Sequence, residues 1–495
     1  MKDLGRIIKY VFKYPKYVVI SIVAMSAVVI AELFIPTFMQ YIIDDAIPSA
    51  DLNLLFEFSM YMVLAALLLI GFGLINNYAS VKVSMYATAD LREDLFTKIQ
   101  SLSFRNIDKF KTSRLITTST NDVTRIQSFF QMSFRIVIRS PFMLIFGLIF
   151  AIQNAPELSA VFYWSIPLLL LTVIVIVIIA FPYFKKVQRN VDEINKVTLE
   201  TANAHRAIKS FVTQESAPAK IETVNENYRR INSIANKVMG LAEPIINLIF
   251  NATYAGAIVL AITYYKNGEL LNEFGNPSTG QLLAFTNYMM ITLSGLLMFA
   301  MVLVFMSRAS VSAKRIYEVL DEKIDLVNAP NAISDMSLKG DIEFNHVSFG
   351  YGENGNNVLT DISFKVKPGQ TIGIIGSTGS GKSSLINLIP RIYDVTDGSI
   401  LLNGVNVKEI NLDTLRSQIS VVTQKATIFS GSVGTNIGQG KGASTIDDFD
   451  AASKRAVADE FISQYDDYYN HKIEQGGQNL SGGQKQRISL ARAFI

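Results

Sequence analysis

The sequence predicts an all-α domain of six transmembrane helices with long cytoplasmic helical extensions, followed by an incomplete α/β P-loop domain. Three observations carry that expectation. Long apolar runs crowd the first two-thirds of the 495 residues, the charged segments between them keep helical spacing, and residues 376–383 match a complete phosphate-binding loop. Hydrophobic residues make up 49% and charged residues 18%, and the mean hydropathy is +0.29. An average soluble domain is about one-quarter charged. This excludes a purely soluble enzyme, a disordered chain, a collagen and a transmembrane β-barrel. With 45 Lys+Arg against 42 Asp+Glu, the charge balance points to no nucleic acid partner. The absence of cysteine removes disulfides, thiolate metal sites and a cysteine nucleophile.

A hydrocarbon core of about 30 Å needs roughly 20 apolar residues in helix. Runs at about 17–43, 58–81, 140–156, 158–184, 244–265 and 280–307 meet that need, and only Glu32 interrupts them. The apolar stretch of the sixth opens earlier, at Phe274. Loop charge sets orientation. Segment 82–139 holds ten Lys/Arg against five Asp/Glu, and 185–243 holds ten against seven. The N-terminal segment carries Lys2, Arg6, Lys9, Lys13 and Lys16, whereas the other connections hold almost no base. These features place a multi-pass protein in the plasma (inner) membrane, with its N-terminus, both long segments and the last third in the cytoplasm. Apolar spacing of three to four over 86–100 and 187–204 extends the spans as helical stalks with a turn at each tip. The domain boundaries expected are 1–320 for the membrane part, 321–339 for a linker and 340–495 for the soluble part.

Gly376-Ser377-Thr378-Gly379-Ser380-Gly381-Lys382-Ser383 fits G-x-x-x-x-G-K-[ST], with Ser384 opening a helical pattern. Thr371-Ile372-Gly373-Ile374-Ile375 before it reads as a short buried strand. Glycines allow a tight wrap whose N–H groups face phosphates. Lys382 supplies a point charge, and the Ser383 hydroxyl can ligate Mg²⁺, which takes few protein oxygens. A second cluster, Leu480-Ser481-Gly482-Gly483-Gln484, places Ser481 at a helix N-cap.

The phosphate loop and this pentapeptide together resemble the nucleotide-binding domain of ATP-binding cassette (ABC) transporters. With six spans ahead, the chain resembles a bacterial multidrug-type ABC exporter half-transporter, its membrane domain fused to a P-loop ATPase domain. Arg114-Leu115-Ile116-Thr117 with Asn121-Asp122-Val123, Arg206-Ala207-Ile208-Lys209-Ser210-Phe211 and Ser312-Ala313-Lys314-Arg315-Ile316 are similar to family stretches. The resemblance implies ATP and Mg²⁺ as cofactors and a bilayer, a small-molecule substrate and a second half-transporter as partners. By the resemblance Tyr351 stacks on adenine, and Gln424, read as following a buried strand at Val421-Val422, reaches Mg²⁺ and the attacking water. Ser481, Gly482, Gly483 and Gln484 contact the γ-phosphate of ATP held by the other subunit, so the site is built in a dimer. Segments near 112–120 and 211–215 resemble coupling helices that press on the nucleotide domains. Glu474-Gln475-Gly476-Gly477 departs from the form common in homodimeric exporters, which favours a heterodimer.

The family's buried strand ending in Asp and then Glu, and its switch histidine, are not found in 340–495, and His205, His346 and His471 lie in other contexts. The sequence is therefore expected to be a fragment ending after the signature, with severely impaired hydrolysis and a parallel sheet lacking a central strand. Export of amphipathic or drug-like molecules is the first reading; a weakly hydrolysing half of a heterodimer, or a lipid or peptide exporter, is the alternative. Glu32 is either a cation site or paired with a polar group on another helix. Asn251, Tyr254, Asn287 and Tyr288 either line a cavity or bond between helices.

Overall fold

The computed structural model describes residues 2–211, 216–268, 270, 277–351 and 357–495, without side-chain detail at 206–207, 216–219 and 303–304. The chain forms two compact units: residues 1–100 with 113–322, and residues 101–112 with 323–495.

In the first unit, α1 (Lys2–Val11) is amphipathic and buries Leu4, Ile7 and Val11. Helices α2 (Pro15–Ser49) and α3 (Leu52–Ser101) follow. Helix α4 (Phe104–Phe110) groups with the second unit. Then come α5 (Thr112–Asn154), α6 (Pro156–Asn203), α7 (Lys220–Lys266) and α8 (Thr279–Leu320). Six helices, α2, α3 and α5 to α8, are long and apolar enough to cross a membrane among the described residues. At 1.5 Å per residue α3 is about 75 Å long, far more than a bilayer requires, so it continues as a stalk. A short helix, His205–Ser210, follows α6. The 211–215 segment expected to be a coupling helix lies, beyond Phe211, outside the described residues, as does Phe274.

Helices α5 and α8 pack backbone to backbone. A Cβ on Gly147 would sit 2.7 Å from Thr292 Oγ1, and one on Gly295 would sit 2.9 Å from the Leu144 nitrogen. In lipid the hydrophobic effect does not drive helices together, so such close approach carries the association. Where α2 meets α8, Asp44 accepts from the N–H groups of Gly280 (2.7 Å) and Gln281 (2.8 Å), satisfying free donors of the α8 N-terminus. Tyr288, fully buried, bonds Thr37 at 2.6 Å and donates to the Leu33 carbonyl. Asn251 and Asn287 instead donate to the carbonyl one turn back in their own helices, and Tyr254 is exposed. Glu32 faces Arg139, whose Nη2 donates to both carboxylate oxygens at 3.0 and 2.8 Å. Its partner is thus a charge on α5.

The second unit opens on an antiparallel sheet in the order β2-β1-β3-β4, with β1 (Ile342–Phe349), β2 (Leu359–Val366), β3 (Asp397–Leu402) and β4 (Val405–Asn406). Phe344, Val347, Phe349, Ile400 and Leu402 form its core with Leu385 and Leu388 of α9 (Lys382–Leu388). A second core gathers α10 (Val433–Ile437), α11 (Ile446–Arg455) and α12 (Gly482–Phe494) around Ile428, Phe461 and Ile488. A two-stranded ribbon, β5 (Gly431–Ser432) with β6 (Lys472–Ile473), borders it. Residue Ile333, within the expected linker, pairs in parallel with Ile410 of the soluble unit.

Two sequence expectations are corrected. Residues 371–375 and Val421-Val422 are not in strands, and the named sheets are antiparallel. These segments have no ladder partner among the described residues. Their apolar side chains stand exposed, Ile375 at 98%. The segment docked on the soluble unit is α4, ahead of the expected 112–120. Ser103 caps α4 in a capping box with Asn106, whose side-chain amide reaches the Lys323 carbonyl at 3.1 Å.

Candidate nucleotide site

The phosphate loop needs glycine for physical reasons at two positions. Gly379 (φ 86°) and Gly381 (φ 87°) lie in the left-handed region. A Cβ on Gly381 would also meet Leu359 Cδ2 at 2.8 Å. The chain turns there into α9. Lys382 folds back over the loop, donating to the carbonyls of Gly376 (2.9 Å) and Ser377 (2.8 Å). Gly376, Ser377, Thr378, Gly379 and Ser380 are exposed, as is Ser383. A long-stemmed cation and open N–H groups at a helix start suit an incoming polyphosphate.

Tyr351 follows β1 at the same end of the sheet. Its hydroxyl and the Ser384 hydroxyl are 2.8 Å apart, which ties the ring to α9. Ser384 is buried, so it holds Tyr351 in place while Ser383 faces outward. The Tyr351 ring meets Phe349 (4.9 Å) and Tyr393 (5.2 Å) edge-on, leaving the side chain 42% exposed. A half-exposed aromatic beside a phosphate loop can stack on a flat base. Tyr393 was not singled out from sequence. Its hydroxyl donates to Asp108 of α4 at 2.8 Å. Burial, with that carboxylate second, pushes its phenol well above the ordinary tyrosine range.

The second glycine cluster stands on the other core. Leu480 is buried. Ser481 caps α12, its oxygen accepting from the Gln484 N–H at 3.3 Å while Gln484 Oε1 accepts from the Ser481 N–H at 2.8 Å. A Cβ on Gly482 or Gly483 would meet nothing within 4 Å. Neither residue has positive φ. Packing within this chain therefore gives no reason for glycine at either position. Arg492 anchors the far end of α12 to the carbonyls of Asn436 (2.8 Å) and Thr427 (2.9 Å), and burial lowers its pKa. No hydrogen bond joins residues 480–484 to 376–384 among the described residues.

Gln424 lies on the exposed stretch after Val422. No group of three or more His, Cys, Asp or Glu side chains that could hold a metal occurs among the described residues. The oxygens of Ser383 and Gln424 are hard donors of the type Mg²⁺ accepts when phosphates complete its shell, so the residues present fit that ion. His205 and His346 are exposed. His471 stacks on Tyr465 (3.6 Å) and bonds Asp467, in the core that carries α12.

Comparison with known proteins places these features. Residues 18–297 match the ABC transporter transmembrane region and residues 359–495 the ABC transporter family. The chain is 33% identical over 476 residues to the uncharacterised ABC transporter ATP-binding protein YfiB of Bacillus subtilis, covering 96% of this chain and 82% of that protein. It is 29% identical over 493 residues to the ATP-dependent lipid A-core flippase of Methylococcus capsulatus, covering 99% and 80%. The solved structure of a bacterial Atm1-family ABC exporter with ATP bound shares the fold, with TM-score 0.78, 22% identity and coverage of 97% and 84%.

Proposed function

Since the chain belongs to the ABC transporter family as an exporter half-transporter, we propose that it binds ATP and Mg²⁺ and drives export of amphipathic molecules with a second half-transporter. The observation that carries the nucleotide part is the contrast between the two glycine clusters. Gly381 is demanded by its own chain, whereas Gly482 and Gly483 open onto empty space. Glycine with no internal reason suits close approach by something outside the chain, and the γ-phosphate held by a second copy or a paralogue has the right chemistry.

Tyr351 takes the base, Lys382 the outer phosphates, and Ser383 with Gln424 the Mg²⁺. The magnesium ion would supply charge neutralisation at the phosphates. ATP bridging two such units favours their closed state, and its loss releases them; the nucleotide must prefer one state for anything to move. The proposed setting is the plasma membrane, with the N-terminus and nucleotide unit in the cytosol. Phosphoryl transfer rests on positioning and charge supplied jointly by the phosphate loop, the metal and the groups that orient the attacking water.

For the cargo, Glu32 is neutralised by Arg139, which argues against a dedicated cation site and favours amphiphiles chosen by apolar contact. Lipid export is the second reading, supported by the relative named a lipid A-core flippase. Glu474-Gln475-Gly476-Gly477 supports a heterodimer, in which this chain could be the weakly hydrolysing half. The test uses the chain in proteoliposomes, with and without candidate partner half-transporters. ATP-dependent movement of a cationic dye, against movement of a fluorescent phospholipid, separates the cargo readings. Lys382→Ala should abolish either. Transport surviving Lys382→Ala contradicts the proposal.

A further inference from the structure

Besides the Phe349 ring at the end of its own strand, 4.9 Å away, the ring of Tyr351 has two supports within the soluble unit. One is its hydroxyl contact with Ser384. The other is the edge of Tyr393, with the two rings at 89°. Tyr393 is itself clamped. The preceding Arg391 is 5% exposed and bonds Asp394 at 2.7 and 3.2 Å, and Arg416 donates to the carbonyls of Pro390 and Arg391. The backbone around Tyr393 is thus held, and its free variable is the direction of the ring and hydroxyl.

That direction is set by α4. Asp108 accepts the Tyr393 hydroxyl, and the Phe104 ring lies 6.3 Å from the Tyr393 ring. Helix α4 is fixed to the soluble unit through Asn106 to the Lys323 carbonyl, Ser103 to Asp325, and Arg105 to Asp325 at 3.5 Å. A line of contacts therefore runs from α4 through Tyr393 to Tyr351 and on to α9, the helix that opens from the phosphate loop. Resting on the reading of Tyr351 as the base-stacking residue, we propose that Tyr393 with Asp108 is a positioning pair. It fixes the Tyr351 ring for base stacking, so that the base-dependent part of nucleotide affinity depends on the seating of α4.

Edge-to-face rings depend on angle, so a Tyr393 ring released from Asp108 loosens one side of Tyr351, which Ser384 and Phe349 hold on the others. The coupling is reciprocal: if docked α4 favours base binding, bound nucleotide favours docked α4 to the same extent. A merely structural role would weaken phosphate and base binding together. A positioning role weakens only the base.

The experiment measures affinities of the full chain for ATP and for inorganic tripolyphosphate, by competition against a fluorescent nucleotide. Tyr351→Ala is expected to weaken ATP and leave tripolyphosphate unchanged. Tyr393→Phe, which keeps the ring, and Asp108→Ala, which removes the acceptor, are each expected to weaken ATP by roughly 2–10-fold, the value of one hydrogen bond. Tripolyphosphate should be unaffected. Combining the two should add little beyond either alone. Asp108→Asn keeps an acceptor oxygen and should restore most of the affinity. If Tyr351→Ala leaves ATP unchanged, the stacking role falls and the positioning pair falls with it. If Tyr351→Ala weakens ATP while Tyr393→Phe and Asp108→Ala do not, the positioning pair alone is overturned. Equal losses of ATP and tripolyphosphate in the Tyr393 and Asp108 variants also overturn it.

Discussion

Glu32 of α2 and Arg139 of α5 form an ion pair, with Arg139 Nη2 at 2.8 and 3.0 Å from the two carboxylate oxygens and both side chains about a quarter to a third exposed. Removing one partner leaves a charge in an apolar surround, while removing both removes the problem. Arg139→Gln or Glu32→Gln alone should lower the thermal stability of the detergent-solubilised protein by the equivalent of ~1–3 kcal/mol, discounted for the partial exposure. The double variant should recover most of that loss. A double variant no better than the worse single would show that the two charges act separately.

The contact between α5 and α8 gives a steric prediction. Gly147→Val would drive a branched side chain into Thr292, 2.7 Å from the Cβ position, and the nearest backbone nitrogen is at 3.3 Å. Overpacking of this kind costs roughly 1–3 kcal/mol. Gly71 of α3 has nothing within 4 Å of its Cβ position, so Gly71→Val serves as the control and should be nearly neutral. Melting temperatures of the two variants in one detergent decide the matter; equal melting temperatures would rule out the close approach.

Folding and function should separate at the start of α12. Gly482→Ala meets no atom of its own chain and replaces glycine within a helix, so the fold should be unharmed or gain up to about 1 kcal/mol. ATP-dependent association with a second nucleotide-binding unit should nonetheless be lost. Ser481→Ala should do both kinds of damage, losing a cap worth ~1 kcal/mol as well as the association. Light scattering with and without ATP reads the association. Normal ATP-driven association by Gly482→Ala would mean that the open glycines do not serve close approach by a second unit.

What the sequence made legible was local. Residues 376–383 announce themselves because the loop's function depends on neighbours in sequence, and the six spans because each needs only its own length and apolarity. The partners were not legible. Tyr393 and Asp108 lie 285 positions apart, and Arg139 stands 107 positions from Glu32, with no local pattern pointing from one to the other. The strand reading of 371–375 and 421–422 failed for a related reason. Apolar residues say what would be buried if a strand edge lay alongside, and a ladder partner is a property of the fold. The docked helix starts about eight residues ahead of 112–120, and its marks, the Ser103 cap and Asn106, are as common at helix starts that dock on nothing.

Acid should loosen two surface anchors outside the membrane. The Thr445 backbone N–H, then the Lys441 ammonium, hold the Asp448 carboxyl at about 2. An unfolded aspartate titrates near ~3.9. The folded value is the lower one, so the contribution is complete above about pH 4 and is lost as pH falls toward the folded value. Protection of the amides at the start of α11 against exchange, taken relative to their intrinsic rates, should therefore fall below about pH 4, and Asp448→Asn should show the lower protection at every pH. Asp321 behaves in the same sense: hydrogen bonds from Arg6, 2.5 and 2.7 Å long, hold its carboxyl below the usual range. Arg6 also lies 3.7 Å over the Tyr317 ring, so the pair pins α1 against the end of α8. Protonating Asp321 removes the charge partner but leaves the ring contact. Protease access to α1 should thus rise in acid by less than it does in Arg6→Ala, which loses both. If Arg6→Ala resists protease as well as the parent does at neutral pH, the pair does not hold α1.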